Sequence, residues 1–262
     1  MPMTAMVRNL ATMTRIGLLK PLSDATRTVC ERVVDPEKLK KARVHPVALL
    51  MALRTYQSGK GERGQNTWTP IQQVNDALDA AFYKAFDFVE PTNKRFFIGL
   101  DVSGSMSSPC AGTSMTCCEG ATALSLVTRH VEDQVEICAF STGLQPLPIG
   151  KSISLVEAMG YTRRVNFGGT DCALPMIYAE QNKLSVDVFM VITDSETWFN
   201  PNIHPFQALK SYRQKMGIPA KLVVIGMTSS GFSIADPVDP YSMDVVGWST
   251  DVPTVISDFA RS

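Results

Sequence analysis

From residue 96 onward the chain repeats one alternation, and that alternation leaves little choice of fold. Phe96-Phe97-Ile98-Gly99-Leu100 is a continuous apolar run, the pattern of a strand buried on both faces. Comparable runs follow at Val135–Phe140, Val186–Thr193 and Leu222–Met227, with a weaker one at Met243–Gly247. Helical patterns separate and follow them, at Thr116–Val131, Ser154–Met159, Cys172–Asn182, Pro205–Met216 and Pro253–Ala260. Strands alternating with helices require right-handed crossovers and a mainly parallel sheet covered on both sides. Leu144–Ile149 follows its neighbour too closely for a crossover, so it is expected to form an antiparallel edge hairpin. Residues 92–262 therefore read as a doubly wound α/β domain.

Residues 1–91 read differently, as a small all-α segment. Between Trp68 and Phe88 the apolar residues Ile71, Val74, Leu78, Ala81 and Ala85 step by three and four, which is one face of a helix. His45-Pro46 opens another, with Val47, Leu50 and Met51 as its inner stripe. Two more helical stretches precede it, near Pro2–Leu19 and Ser23–Ala42, the second interrupted at Asp35-Pro36. Gly59, Gly61 and Gly64 are expected to form a flexible connection.

Composition decides which classes of function remain. At 45% hydrophobic and 19% charged residues, the chain can bury a core. No apolar run approaches the roughly 20 residues needed to cross a bilayer, so no membrane partner is expected. Lys plus Arg and Asp plus Glu both number 25, which excludes a uniformly basic or acidic chain. The neutrality is a composite: residues 1–64 hold 12 basic and 5 acidic side chains, residues 65–262 hold 13 and 20. The opening Met-Pro-Met-Thr-Ala-Met lacks the basic-then-apolar layout of a secretory signal, so a cytoplasmic and also nuclear setting is expected. In that reducing compartment Cys30, Cys110, Cys117, Cys118, Cys138 and Cys172 should be thiols.

Ligands of open α/β sheets sit beyond the carboxyl ends of the strands, where strand order reverses. Three loops with matching chemistry leave this chain there. The first strand ends in Asp101-Val102-Ser103-Gly104-Ser105, a later loop reads Gly168-Gly169-Thr170-Asp171, and the strand 186–193 runs into Thr193-Asp194-Ser195-Glu196. Asp101, Ser103, Ser105, Thr170 and Asp194 are hard oxygen donors, which suit Mg²⁺ or Mn²⁺ rather than zinc or copper. Three neutral hydroxyl ligands leave the cation's charge poorly neutralised, so an acidic protein ligand is expected to complete the site. A lone D-x-S-x-S is otherwise only a turn signal, because Asp and Ser bond nearby backbone.

With that rim, the α/β part resembles the von Willebrand factor A domain and its metal-ion-dependent adhesion site. The resemblance implies ligation by Ser103, Ser105 and Thr170, with Asp101 and Asp194 acting directly or through water. It extends further. Pro2-Met3-Thr4-Ala5-Met6-Val7-Arg8-Asn9-Leu10, Lys40-Lys41-Ala42-Arg43-Val44-His45-Pro46, Ala77-Leu78-Asp79-Ala80-Ala81-Phe82-Tyr83, Gly168-Gly169-Thr170-Asp171-Cys172 and Ile218-Pro219-Ala220-Lys221-Leu222 resemble the C-terminal half of the Ro ribonucleoprotein autoantigen family. That family joins a ring of helical repeats, the TROVE module, to a von Willebrand A domain. The ring binds small noncoding Y RNAs on its outer surface and takes the single-stranded ends of misfolded RNAs into its hole. The resemblance implies that residues 1–91 correspond to the last four or so helices of the ring.

RNA contact would fall on the basic excess of the helical segment: Lys38, Lys40, Lys41 and Arg43 as the tightest cluster, with Arg8 and Arg15, and Arg27 and Arg32, on earlier helices. A solvated helix face has the same composition. His45 reads as a helix-entry residue, and His130 and His204 lack zinc-ligand spacing. Thr116-Cys117-Cys118-Glu119 matches a capping box, with two thiols that are either reactive at a helix N-terminus or simply packed near the rim. The Met106–Met115 loop is expected to border the metal site. Trp198 and Phe199 offer a rim contact for a partner, or cap the core.

The expected function is thus an Ro-like RNA-binding ribonucleoprotein component, with a divalent-metal-dependent protein contact. The alternative is a stand-alone metal-dependent interaction module with no RNA binding of its own. Catalysis is not expected. A phosphotransferase using Asp101 as nucleophile wants a second acid nearby, and position 103 is serine. No Walker loop, dinucleotide glycine pattern or Ser-His-Asp order occurs.

Overall fold

In the computed structural model, described for residues 1–61, 65–110, 113–165, 168–194, 203–228 and 234–262, the chain divides into two compact units. One comprises Met1–Glu90 with residues 112–115, the other the remainder from Pro91.

The first unit is helical: α1 (Met3–Arg15), α2 (Asp24–Val33), α3 (Pro36–Ala42), α4 (Pro46–Ser58) and α5 (Gln72–Lys84), with a 3₁₀ turn over Ala85–Phe88. The expected stripe is buried throughout: Ile71, Val74, Leu78, Ala81 and Ala85 are all at most 5% exposed. The stretch 23–42 divides at Asp35-Pro36, as expected. Pro36 cannot donate to a preceding turn, and the Asp35 carboxylate accepts from Lys38 N at 3.1 Å, so a new helix starts there. α1 stops short of Leu19 because Gly17 turns left-handed, at φ +76°.

Two further expectations are corrected by non-local contacts. The glycine-rich connection is pinned: Lys60 and Thr67 form an antiparallel bridge, and Trp68 N donates to Gly59 O at 2.9 Å. Gly64 lies outside the described residues. Trp68 is also not helical, because its indole donates to Tyr56 O at 2.9 Å and its ring stacks on Tyr56, holding the approach to α5 extended. The Tyr56 hydroxyl, in turn, lies 2.8 Å from Thr14 Oγ1 and accepts from Ile71 N at 3.2 Å, joining α1, α4 and the start of α5.

His45 caps α4, its Nδ1 accepting from Val47 N at 3.2 Å. Burial pushes its pKa down to about 4 from the ordinary 6.5. The folded unit therefore favours neutral imidazole. This contribution is complete above pH 6.5 and is lost as the pH falls from there to about 4. At about 1.4 kcal/mol per unit, with an allowance for remaining exposure, the loss is on the order of 2 kcal/mol. His45→Asn keeps a capping acceptor without titrating. Denaturant melts at neutral and acid pH should show the variant losing less stability than wild type, and equal losses would rule out His45 as the acid-sensitive group.

The second unit carries β1 (Phe96–Asp101), α6 (Cys117–Val131), β2 (Val135–Phe140), β3 (Leu144–Pro146), α7 (Leu155–Thr162), α8 (Leu174–Gln181), β4 (Val188–Thr193), α9 (Pro205–Met216), β5 (Lys221–Gly226), β6 (Ser242–Val246) and α10 (Val252–Arg261). The sheet order is β3-β2-β1-β4-β5-β6. Every pairing is parallel except β2 with β3, the expected edge hairpin, with Phe140 opposite Leu144. All six residues of β1 and all six of β4 are buried, which is why both read as unbroken apolar runs. The chain builds outward from β1 through β2 and β3, then returns to β1's other side with β4. Strand order reverses between β1 and β4, and the crevice at their carboxyl ends is where such sheets hold ligands.

Candidate functional site

β1 ends at Asp101 and β4 at Thr193, so the switch point places both at the same edge. The Asp101 carboxylate is 1% exposed. Its Oδ1 accepts from Ser103 N at 2.8 Å, the Asp turn expected of this spacing, and its Oδ2 accepts from Thr193 Oγ1 at 2.7 Å. Burial raises the Asp101 pKa above the usual carboxylate range, and the charge of Asp194 adds to this. The hydrogen bonds from Thr193 and Ser103 oppose it. A buried carboxylate held in this way gains most from a cation nearby.

The turn after Asp101 brings the Ser103 and Ser105 hydroxyls within 3.1 Å of each other. Ser105 is exposed within a 3₁₀ turn over Gly104–Ser107, while Ser103, just before that turn, is buried. The Gly168–Asp171 loop is tied to the end of β2. The buried Ser141 hydroxyl shares its proton between the carbonyls of Gly168 (3.0 Å) and Gly169, and Ser141 O accepts from Asp171 N at 2.9 Å. Thr170 is 6% exposed, and Asp171 accepts from Ala173 N at 3.0 Å, leading into α8. Asp194 is half-buried, and its carbonyl accepts from Thr228 Oγ1. Ser195, Glu196, Trp198 and Phe199 lie outside the described residues.

The donor set is therefore hydroxyls and carboxylates at the end of a buried sheet, which is the chemistry of a hard divalent cation. Among the described residues no three His, Cys, Asp or Glu side chains gather as a metal site. Sequence reasoning missed two supporting residues, Thr193 and Ser141. The only signal was their place, a hydroxyl at or just past the end of an apolar run.

All six cysteines are free thiols. Thr116 caps α6 by accepting from Glu119 N at 3.1 Å, as its spacing predicted. Of the two thiols in that first turn, Cys117 is buried and Cys118 is half-buried beside Thr162. Cys117 shares a hydrogen bond with Cys110, which lowers its pKa and raises that of Cys110. His204 caps α9 in a box with Gln207, and His130 Nδ1 lies 3.2 Å from Lys151 O.

In the helical unit, Arg8, Arg15, Lys38, Lys40, Lys41 and Arg43 are all exposed. Arg8 and Arg15 are seven residues apart on α1 and share one stripe, with Leu10 buried on the other side. Lys38, Lys40 and Lys41 flank the buried Leu39 on α3, which packs against α1. Lys38 pairs with Asp35, so its charge is partly engaged within the unit. Arg43 closes α3 in the left-handed region at φ 48°.

Comparison with known proteins covers both units. The family model of the Ro60 vWA domain matches residues 95–260, and that of the TROVE domain matches residues 1–55. The RNA-binding protein RO60 of Caenorhabditis elegans is 43% identical over 99% of this chain, and that of Deinococcus radiodurans is likewise 43% identical over 99%. The crystal structure of the Deinococcus radiodurans RO (RSR) protein superposes with a TM-score of 0.93 over 98% of the chain, at 44% identity. The chain spans 40% and 49% of the lengths of those two curated relatives, and 52% of the crystallised protein.

Proposed function

Because the chain belongs to the Ro60 family, joining TROVE sequence to that family's von Willebrand A domain, we propose that it is an Ro-like RNA-binding component. Its carboxyl-edge site would take a divalent cation and a protein carboxylate. The observation that carries the RNA half is 43% identity, over 99% of the chain, to proteins named RNA-binding protein RO60. The ligand class is small noncoding RNA, bound through Arg8, Arg15, Lys38, Lys40, Lys41 and Arg43, whose exposure supports phosphate contact.

For the second half, Ser103, Ser105 and Thr170 would hold Mg²⁺ or Mn²⁺, with Asp101 and Asp194 close by or in direct contact. A cation so held supplies an under-neutralised charge to which an acidic protein ligand binds. The role is binding and not catalysis: both Asp101 oxygens already accept protein hydrogen bonds, which speaks against a free nucleophile. A cytoplasmic and also nuclear setting belongs to the same reading, and six free thiols accord with it.

Thermal melts with and without Mg²⁺ test the metal site. At ten times the dissociation constant a cation bound only by the folded state adds about 1.4 kcal/mol. That raises the melting temperature by roughly 3–5 °C in a domain of this size. Ser103→Ala should remove most of this response. Equal responses in wild type and variant would dismiss Ser103 as a ligand.

A further inference from the structure

Tyr161, Arg163 and Arg164 stand where α7 ends, and no role described above uses them. Two connections tie that end to the hydroxyl rim. Thr162 Oγ1 lies 3.6 Å from Cys118 Sγ in the first turn of α6, and the adjacent Cys117 feels the charge of Asp194. The chain then runs from Arg164 within a few residues to Gly168–Thr170, the loop that Ser141 holds.

Both arginines are exposed, on backbone that is fixed: Arg163 N donates to Met159 O at 3.1 Å and Arg164 N to Tyr161 O at 3.2 Å. Elsewhere in the unit Arg95, Lys151, Arg213 and Lys215 pair with Asp187, Asp133, Asp239 and Glu180. Among the described residues Arg163 and Arg164 have no such carboxylate, although residues 91–262 hold 16 acidic side chains against 12 basic; Lys94, Lys183 and Lys210 lack one too, but of these only Arg163 and Arg164 are neighbours in the chain. The C-terminus of α7 welcomes one cation, but a second beside it is repelled by the first. An anion from outside would offset that repulsion.

Resting on the reading of Ser103, Ser105 and Thr170 as a metal-dependent carboxylate site, we infer that Arg163 and Arg164 are the second contact of a two-point receptor for an acidic protein segment. One carboxylate of the segment goes to the hydroxyl rim, and neighbouring acidic residues go to the guanidiniums. A nucleic-acid strand fits less well. Single strands stack bases on open aromatic faces, and the Arg164 guanidinium lies over the Tyr161 ring, 6.0 Å from its centroid.

A short fluorescent oligo-glutamate peptide, titrated by anisotropy in excess Mg²⁺ against the whole chain, tests this. Arg163→Glu with Arg164→Glu should weaken binding at least ~10-fold at an unchanged melting temperature. The double lysine variant should stay within ~3-fold, because the charge remains. If binding is lost on chelation and in Ser103→Ala, yet is indifferent to the arginine reversal, the second contact is overturned and the metal reading stands. Binding indifferent to chelation and to Ser103→Ala sinks the metal reading, and the two-point receptor with it. Absence of peptide binding to wild type, or single-stranded RNA bound through these arginines in preference to the peptide, also overturns the proposal.

Discussion

Gly99→Val is expected to destabilise the α/β unit by about 3 kcal/mol, against the intrinsic preference of the residue. Gly99 sits in β1 at the middle of the sheet, paired with Cys138 on one side and Val191 on the other. Valine fits strands better than glycine, by up to about 1 kcal/mol on propensity alone. Packing reverses the sign. A Cβ at position 99 would stand 2.7 Å from Pro175 Cγ and 3.2 Å from Phe140 Cδ1, closer than carbon atoms approach without displacement. The proline ring has little freedom to yield, so α8 itself must move off the sheet. α8 follows directly from the Thr170–Asp171 loop, and the Mg²⁺ response of the melting curve should shrink as well. Calorimetry should place the variant roughly 6–12 °C below wild type. Gly99→Ala combined with Pro175→Ala should recover part of the loss of the single Gly99→Ala change, with a coupling of about 1 kcal/mol. A Gly99→Val protein as stable as wild type would mean that α8 does not lie this close.

How much of this could be seen in the sequence depended on the range of the interaction. Strands β1 and β4 were legible because burial on both faces leaves no polar position to blur the run. The rim was legible because Asp101-Val102-Ser103 is a local motif, and the turn it predicts is the one Ser103 N makes. What supports the rim was not. Thr193 reaches Asp101 across 92 positions, and Ser141 reaches Gly168 across 27. A lone hydroxyl at the end of a strand carries no sign of its distant partner.

The glycine-rich connection failed for the same reason. Gly59 and Gly61 suggest freedom when read locally, but the Lys60–Thr67 bridge and the Trp68 hydrogen bonds fix their surroundings. Gly59 is needed there: it is left-handed at φ +68°, and a Cβ would stand 2.9 Å from Trp68 O. The charge division also moves when the units are known. Asp76 and Asp79 on α5, with Asp87 and Glu90 beyond it, belong to the helical unit, so residues 1–90 hold 13 basic and 9 acidic side chains. The basic character is concentrated before α5: of the 13 basic side chains, 9 lie at or before Arg43, on α1 through α3 and the turns that follow them. Arg163 and Arg164 show the converse case. Two arginines in sequence say nothing until the structure shows which cations of the unit already have carboxylates.

Reversing Lys40, Lys41 and Arg43 together to glutamate should have the largest effect on RNA binding. Lys38 is a weaker choice, because Asp35 already engages it and is itself held below the usual carboxylate range by that contact. The three chosen side chains are exposed and the buried Leu39 beside them is untouched, so the cost to the fold is limited to placing anions at the C-terminal end of α3, roughly 0.3–1 kcal/mol per site. Each phosphate contact on a single strand contributes about 0.7 to the slope of log affinity against log salt. Three lost contacts should lower that slope by about 2, so between 50 and 200 mM KCl wild type should lose roughly 20-fold more affinity than the variant. At low salt the reversal should weaken binding on the order of 100-fold, since repulsion replaces three attractions. Filter binding of a single-stranded RNA over a salt series gives both quantities. An unchanged slope would move the phosphate contacts off α3 and leave Arg8 and Arg15 on α1 as the remaining basic stripe; binding absent from wild type even at low salt would leave the carboxyl-edge site as this chain's proposed function.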